Sequence, residues 1–217
     1  MSPVANSPPT KYGAILFPGF QALDIFGPLD ILNLISRDAP VELSVISASL
    51  DPVSTKDPML KTTIGQSVLP THTFDDAPRD LEVLIVPGGR GSRDVESTAR
   101  LVDYLRHTYP RLRYLLTVCT GSAFAARAGV LDGKRATTNK ICFGWVTKFG
   151  DKTEWVPKAR WIADGNVWTS SGISAGIDMM YAFVTETYGE GMARYIAAES
   201  EYIRNADPSD DPFAHLV

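Results

Sequence analysis

Two cysteines are the only thiols in this 217-residue chain, and their surroundings differ. Cys119 follows the apolar run Tyr114–Val118 (YLLTV) and precedes Thr120, Gly121, Ser122 and an alanine-rich stretch, residues 123–128. No residues remain for a loop between strand and helix. A tight turn must therefore hold the thiol at a helix N-terminus in a constrained backbone conformation. Free N–H groups and the helix dipole at that place favour a thiolate and predict a lowered cysteine pKa. The amides that follow are placed to hold a developing oxyanion, and the small residues leave room for a substrate. Cys142, inside the apolar stretch 141–149, reads as a packing residue.

Asp24 is the second residue of interest. It stands between Leu23 and Ile25, where a carboxylate is costly unless it is partnered. Such an acid either caps a helix or is held beside a reacting group. Gly88-Gly89, directly after a further apolar run, form a tight turn or present backbone amides to a ligand. No Gly-Lys-Ser/Thr follows the pair, so it is not a phosphate loop. His72, His107 and His215 lie far apart and give no metal-ligand spacing, so no metal is expected.

The elements that must position these groups follow from apolar runs and their punctuation. Strands are expected over residues 12–17, 41–47, 81–86 and 114–118. Helices are expected over 23–35 (starting or bending near Pro28), 96–107, 123–128, 141–149, 173–188 and 192–203. Asp164-Gly165 between residues 161–163 and 167–169 signals a hairpin. Residues 50–80 read as loops with a small hairpin. Apolar strands alternating with helices imply an α/β fold, a mostly parallel sheet covered by helices on both faces. Ligands of such folds sit at the carboxyl ends of the strands, where the segment 19–24, Gly88-Gly89 and Cys119-Thr120 all fall.

Bulk properties narrow the function. With 44% apolar and 21% charged residues the chain can bury a core, and the expected organisation is one domain over residues 11–205. A Ser/Pro-rich flexible arm, 1–10, precedes it, and an acidic tail, 206–217, follows. A net charge of −4 without a basic run gives no support to nucleic-acid binding. No stretch has the apolar length of a membrane span, and the N-terminus lacks a secretory pattern, so the expected compartment is the cytoplasm with both thiols reduced.

Taken in order, the motifs resemble the ThiJ/PfpI superfamily over nearly the whole chain. They are Phe17-Pro18-Gly19, Leu23-Asp24 before Gly27-Pro28, Val86-Pro87-Gly88-Gly89, Val118-Cys119-Thr120-Gly121-Ser122, Arg135-Ala136-Thr137-Thr138 and Gly172-Ile173-Ser174-Ala175-Gly176-Ile177-Asp178. The resemblance implies a flavodoxin-like sandwich with the cysteine on a nucleophile elbow. Within it, the isocyanide (isonitrile) hydratase branch is the most similar. That branch implies Cys119 as nucleophile, Asp24 as acid/base group, and Thr120 supplying a hydroxyl and an amide. It also implies Gly89 as a backbone donor beside Gly88, and Ile173 packed against the thiolate.

The implied reaction adds the thiol across the terminal carbon of a small isocyanide and hydrolyses the thioimidate to an N-substituted formamide, with no cofactor. Two departures are visible. Thr120 stands where protease-like members have histidine, and Asn139 stands where many members have histidine after the Thr-Thr pair. The alternatives are an oxidation-sensing, stress-response role of Cys119, or hydration or hydrolysis of another small electrophile. The ligand-binding half of a transcription regulator ranks below these. Trp145 and Trp161 are expected in the core rather than the pocket. A homodimer is implied by the resemblance, with apolar positions of the 23–35 helix as its candidate face.

Overall fold

The computed structural model describes residues 7–60 and 64–217. Its elements are β1 (Lys11–Ile15), α1 (Ala22–Ile35), β2 (Glu42–Ser47), β3 (Val53–Ser54), β4 (Ser67–Val68), β5 (His72–Thr73) and β6 (Val83–Val86). They continue with α2 (Ala99–Thr108), β7 (Tyr114–Val118), α3 (Ser122–Arg127), β8 (Arg135–Ala136), α4 (Phe143–Val146) and β9 (Glu154–Trp155). β10 (Trp161–Asp164), β11 (Val167–Ser170), α5 (Ser174–Tyr188) and α6 (Glu190–Glu199) complete the series.

Seven strands form one sheet in the order β10-β11-β7-β6-β1-β2-β5. All pairings are parallel except the β10–β11 hairpin, which turns at Asp164-Gly165 as expected. β6 is buried along its whole length, and β7 from Leu115 onward, because helices cover both faces. α1, α5 and α6 pack together in one layer, and α2 packs on α3 in the other. The chain order reverses between β1 and β6, one side running out to β5 and the other to β10. A crevice opens at such a switch point beyond the carboxyl ends of the strands. The loops after β1, β6 and β7 meet there.

Several boundaries differ from the sequence expectation, each for a local reason. α1 begins at Ala22 and runs through Pro28 without a break. A proline in the second turn removes only one helical donor. α2 starts at residue 99 rather than 96 because Asp94 accepts the Ser97 N–H at 3.0 Å and holds the chain in a turn. α6 stops at residue 199 rather than 203. Glu201 takes φ +50°, and Tyr202 leaves the helix to donate to Asp178. The segment 141–149 is a single helical turn, α4, followed by a 3-10 turn. β3 and β4 are the small hairpin of the 50–80 region.

The ends are held to the body where the structure describes them. Residues 1–6 of the expected flexible arm lie outside the described residues. Residues 7–10 are tied down: Arg113 donates to Ser7 O at 2.8 Å, Tyr188 to Pro9 O, and Thr10 N–H to Glu82 at 2.7 Å. The acidic segment 206–217 folds back on the body. Pro208 O accepts the Arg160 N–H at 2.7 Å, and Asp211 is buried against Lys140, Oδ2 to Nζ 3.1 Å. Among the described residues no helix is long and apolar enough to cross a membrane.

Candidate active site

Cys119 leaves β7 with φ +58°, in the left-handed region that a side-chain-bearing residue adopts only when its surroundings impose it. Its N–H donates to Ser171 O at 3.2 Å, while its own carbonyl accepts Thr138 Oγ1 at 2.9 Å and Ser122 Oγ at 3.1 Å. These bonds pin the elbow from three segments. Cys119 is 7% exposed and forms part of the wall of a cavity of about 140 Å³. Gln21, Gly89, Asn139 and Ile173 line it too, with Arg90, Arg93, Thr120 and Cys142.

Asp24, in the first turn of α1, is fully buried. Its Oδ2 accepts the Gly88 N–H at 3.0 Å, and among the described residues Oδ1 has no hydrogen-bond partner. Burial raises its pKa to about 7, held back by the Gly88 N–H, the Cys119 thiol and the Ile173 N–H that face it. Cys119 behaves in a way the sequence did not announce. Burial first, and then the charge of Asp24, push its thiol pKa well above the ordinary value, against the Thr120 N–H and the Asn139 side chain. The expected dipole-lowered thiolate is therefore not the resting state, since desolvation outweighs the helix terminus here. At neutral pH the resting pair is a neutral thiol beside a carboxyl group poised near its midpoint, and a proton can pass between them.

The Gly88-Gly89 turn is required by close approach. A Cβ on Gly88 would stand 2.5 Å from Thr120 N and 3.0 Å from Asp24 Oδ2, and Gly89 has φ +139°. The two amides expected to face a ligand are already engaged. Gly88 donates to Asp24, and Gly89 donates to Thr120 Oγ1 at 3.0 Å. Thr120 Oγ1 also accepts Ser92 Oγ at 3.1 Å, so that hydroxyl ties the elbow to the glycine turn. The donors that face the sulfur are the Thr120 amide and the Asn139 side chain. Ile173, with φ +45° at the start of α5, lines the same cavity. The structure thus brings Cys119, Asp24, Thr120, Gly88, Gly89 and Ile173 to one place.

Sequence reasoning missed part of the wall. Cys142, read as packing, is half-buried and lines the cavity, its N–H donating to Asn139 Oδ1 at 3.1 Å. Arg93 reaches the same wall from the loop after β6. Nothing in their local sequence points inward; only the convergence of loops does. Trp161 is buried in the core, as expected. Trp145 lies under the guanidinium of Arg93.

Residues 13–186 match the DJ-1/PfpI family. The chain belongs to that family. A member from Pseudomonas putida, isonitrile hydratase, is 35% identical over 193 residues, 88% of this chain and 78% of that protein. The HTH-type transcriptional regulator GbdR of Pseudomonas aeruginosa is 28% identical over 222 residues. That match takes in 99% of this chain but only 58% of the regulator. Among solved structures, a ThiJ/PfpI family protein from Pseudomonas syringae superposes with a TM-score of 0.77 at 30% identity, covering 94% of this chain and 81% of that one. The flavodoxin-like sheet and the elbow of this DJ-1/PfpI protein accord with that likeness.

Proposed function

We propose that the protein is a cysteine-dependent hydratase that converts a small isocyanide to the N-substituted formamide without a cofactor. The observation that carries the reading is the buried pair of Asp24 and Cys119 beside a small cavity, one carboxyl oxygen unpartnered among the described residues. Likeness to an isonitrile hydratase supports the substrate class. In the first step the Asp24 carboxylate takes the Cys119 proton as sulfur bonds to the terminal carbon of R–N≡C. That proton is then delivered to the same carbon, giving the thioimidate Cys–S–CH=N–R and restoring the carboxylate. In the second step Asp24 removes a proton from water, which adds to this carbon. Protonation of nitrogen and loss of the thiolate release R–NH–CHO, and the thiolate recovers its proton. The Thr120 N–H stabilises negative charge at sulfur in both steps, and Ile173 confines the substrate against it.

The test is formamide production from a simple alkyl isocyanide by the wild type and Cys119→Ala. Turnover that disappears with the sulfur supports the reading, and turnover that survives overturns it. A second reading is favoured by the free Asp24 Oδ1: the protonated acid would donate to a sulfinate on Cys119, making the site an oxidation sensor. Its signature is stoichiometric peroxide uptake at Cys119 without formamide.

We further propose a homodimer. An apolar depression of about 450 Å³ runs along α1 toward Ile177 and Tyr181. Leu23 and Phe26, 52% and 38% exposed, stand on it.

A further inference from the structure

One charged group on the cavity wall has no part in the proposed reaction. Arg93 is half-buried in the loop after β6, and its Nη2 donates to Cys142 Sγ at 3.3 Å. Its guanidinium lies over the Trp145 ring, 5.2 Å from the centroid. Those two contacts fix the orientation of the fork, as stacking on an aromatic face does for a planar cation. Arg90 lines the same cavity but donates through Nε to Asp57 Oδ2 at 3.0 Å and is already charge-paired.

Arg93 is different. Among the described residues it has no carboxylate within ion-pair distance, unlike Arg90, Arg160 and Arg204. Asp94 and Glu96 line a separate depression that Arg93 also borders, and neither pairs with it. Asp57 feels its charge but is occupied by the Met59 N–H and by Arg90. A guanidinium partly withdrawn from water, held in one orientation and with N–H donors unspent, is an acceptor for a planar anion. A dianionic phosphate would call for a second unpaired cation, and Arg90 is taken. The cavity of about 140 Å³ limits the ligand to a few heavy atoms.

We propose that the substrate carries a carboxylate which docks on Arg93 while its electrophilic carbon meets Cys119. The proposal rests on Cys119 as the reacting group, and not on the isocyanide as the electrophile. Discrimination then comes from an ion pair that a neutral isostere cannot make.

The test needs no turnover. Iodoacetate and iodoacetamide are near isosteres that differ in charge, and both alkylate a thiol. Their rates at Cys119, followed by peptide mass spectrometry, are compared as a ratio with the ratio for free glutathione. The wild-type ratio is expected to exceed the glutathione ratio at least tenfold and to fall toward it in 1 M salt. Arg93→Met is expected to remove the excess, and Arg93→Lys to keep part of it. A wild-type ratio equal to that of glutathione overturns the proposal without recourse to any variant, as does an excess that Arg93→Met leaves unchanged. Failure of both reagents to label native Cys119 removes the reactive-cysteine reading itself, and the proposal with it. The two failures are therefore distinguishable.

Discussion

Replacing Asp24 by asparagine is expected to make the protein inactive and, above neutral pH, more stable. The carboxyl group has a folded pKa of about 7 against an ordinary 3.8, so between those values the folded state holds a proton the unfolded state has released. Stability therefore falls as pH rises through that window and is lowest above about 7. Linkage over those two values gives a cost of about 2 kcal/mol at pH 5 and about 4 kcal/mol at pH 8. Asparagine can still accept the Gly88 N–H but has no charge to desolvate, and its NH2 group needs new partners, a cost of about 1–3 kcal/mol. That cost is the same at both pH values, so it cancels in the comparison. Urea unfolding of wild type and Asp24→Asn at pH 5 and pH 8 should show the variant gaining about 2–3 kcal/mol relative to wild type across the interval. A stability difference that does not change with pH would refute the buried, raised-pKa carboxyl, and the acid/base role would go with it.

The same pair sets the pH dependence of the reaction. Protonated Asp24 cannot take the thiol proton, so kcat/KM for an isocyanide is expected to rise with pH through about 7 in the wild type. A profile flat from pH 6 to 8 would count against general-base activation. Elsewhere, Lys140→Met is expected to strand the buried Asp211 carboxylate and cost about 3–5 kcal/mol, read by urea unfolding. The double change with Asp211→Leu should recover a large part, because no uncompensated charge remains.

What the sequence made legible was whatever depends on near neighbours. An apolar strand, a cysteine and small residues leading into a helix force the elbow, and the φ of Cys119 follows from that spacing. Asp24 showed itself as an acid in an apolar stretch, because burial of such a residue is itself a local pattern. The direction of the thiol pKa was not legible. It is decided by burial of the sulfur and by the neighbouring charge of Asp24, which are properties of packing and not of the helix that follows it. Arg93, Asn139 and Cys142 lie on loops whose convergence is set by tertiary structure. The engaged amides of Gly88 and Gly89 were hidden for the same reason, since their acceptors lie 64 and 31 positions away.

The fold-back of residues 206–217 bears on the order in which this site comes into being. Lys140 Nζ donates to Thr137 Oγ1 at 2.7 Å and to Ala159 O at 2.9 Å, and its counter-charge is Asp211. Of the two residues just before Lys140, Thr138 donates to the Cys119 carbonyl and Asn139 faces its sulfur. A chain emerging from the ribosome lays down β1, β6 and β7 well before residue 211 exists, and N-terminal elements fold first. Through that interval a buried lysine lacks its partner, which disfavours closure of the segment over the thiol. The segment 206–217 thus supplies the counter-charge beneath the residues around the nucleophile, so its docking and the closure of those residues favour one another.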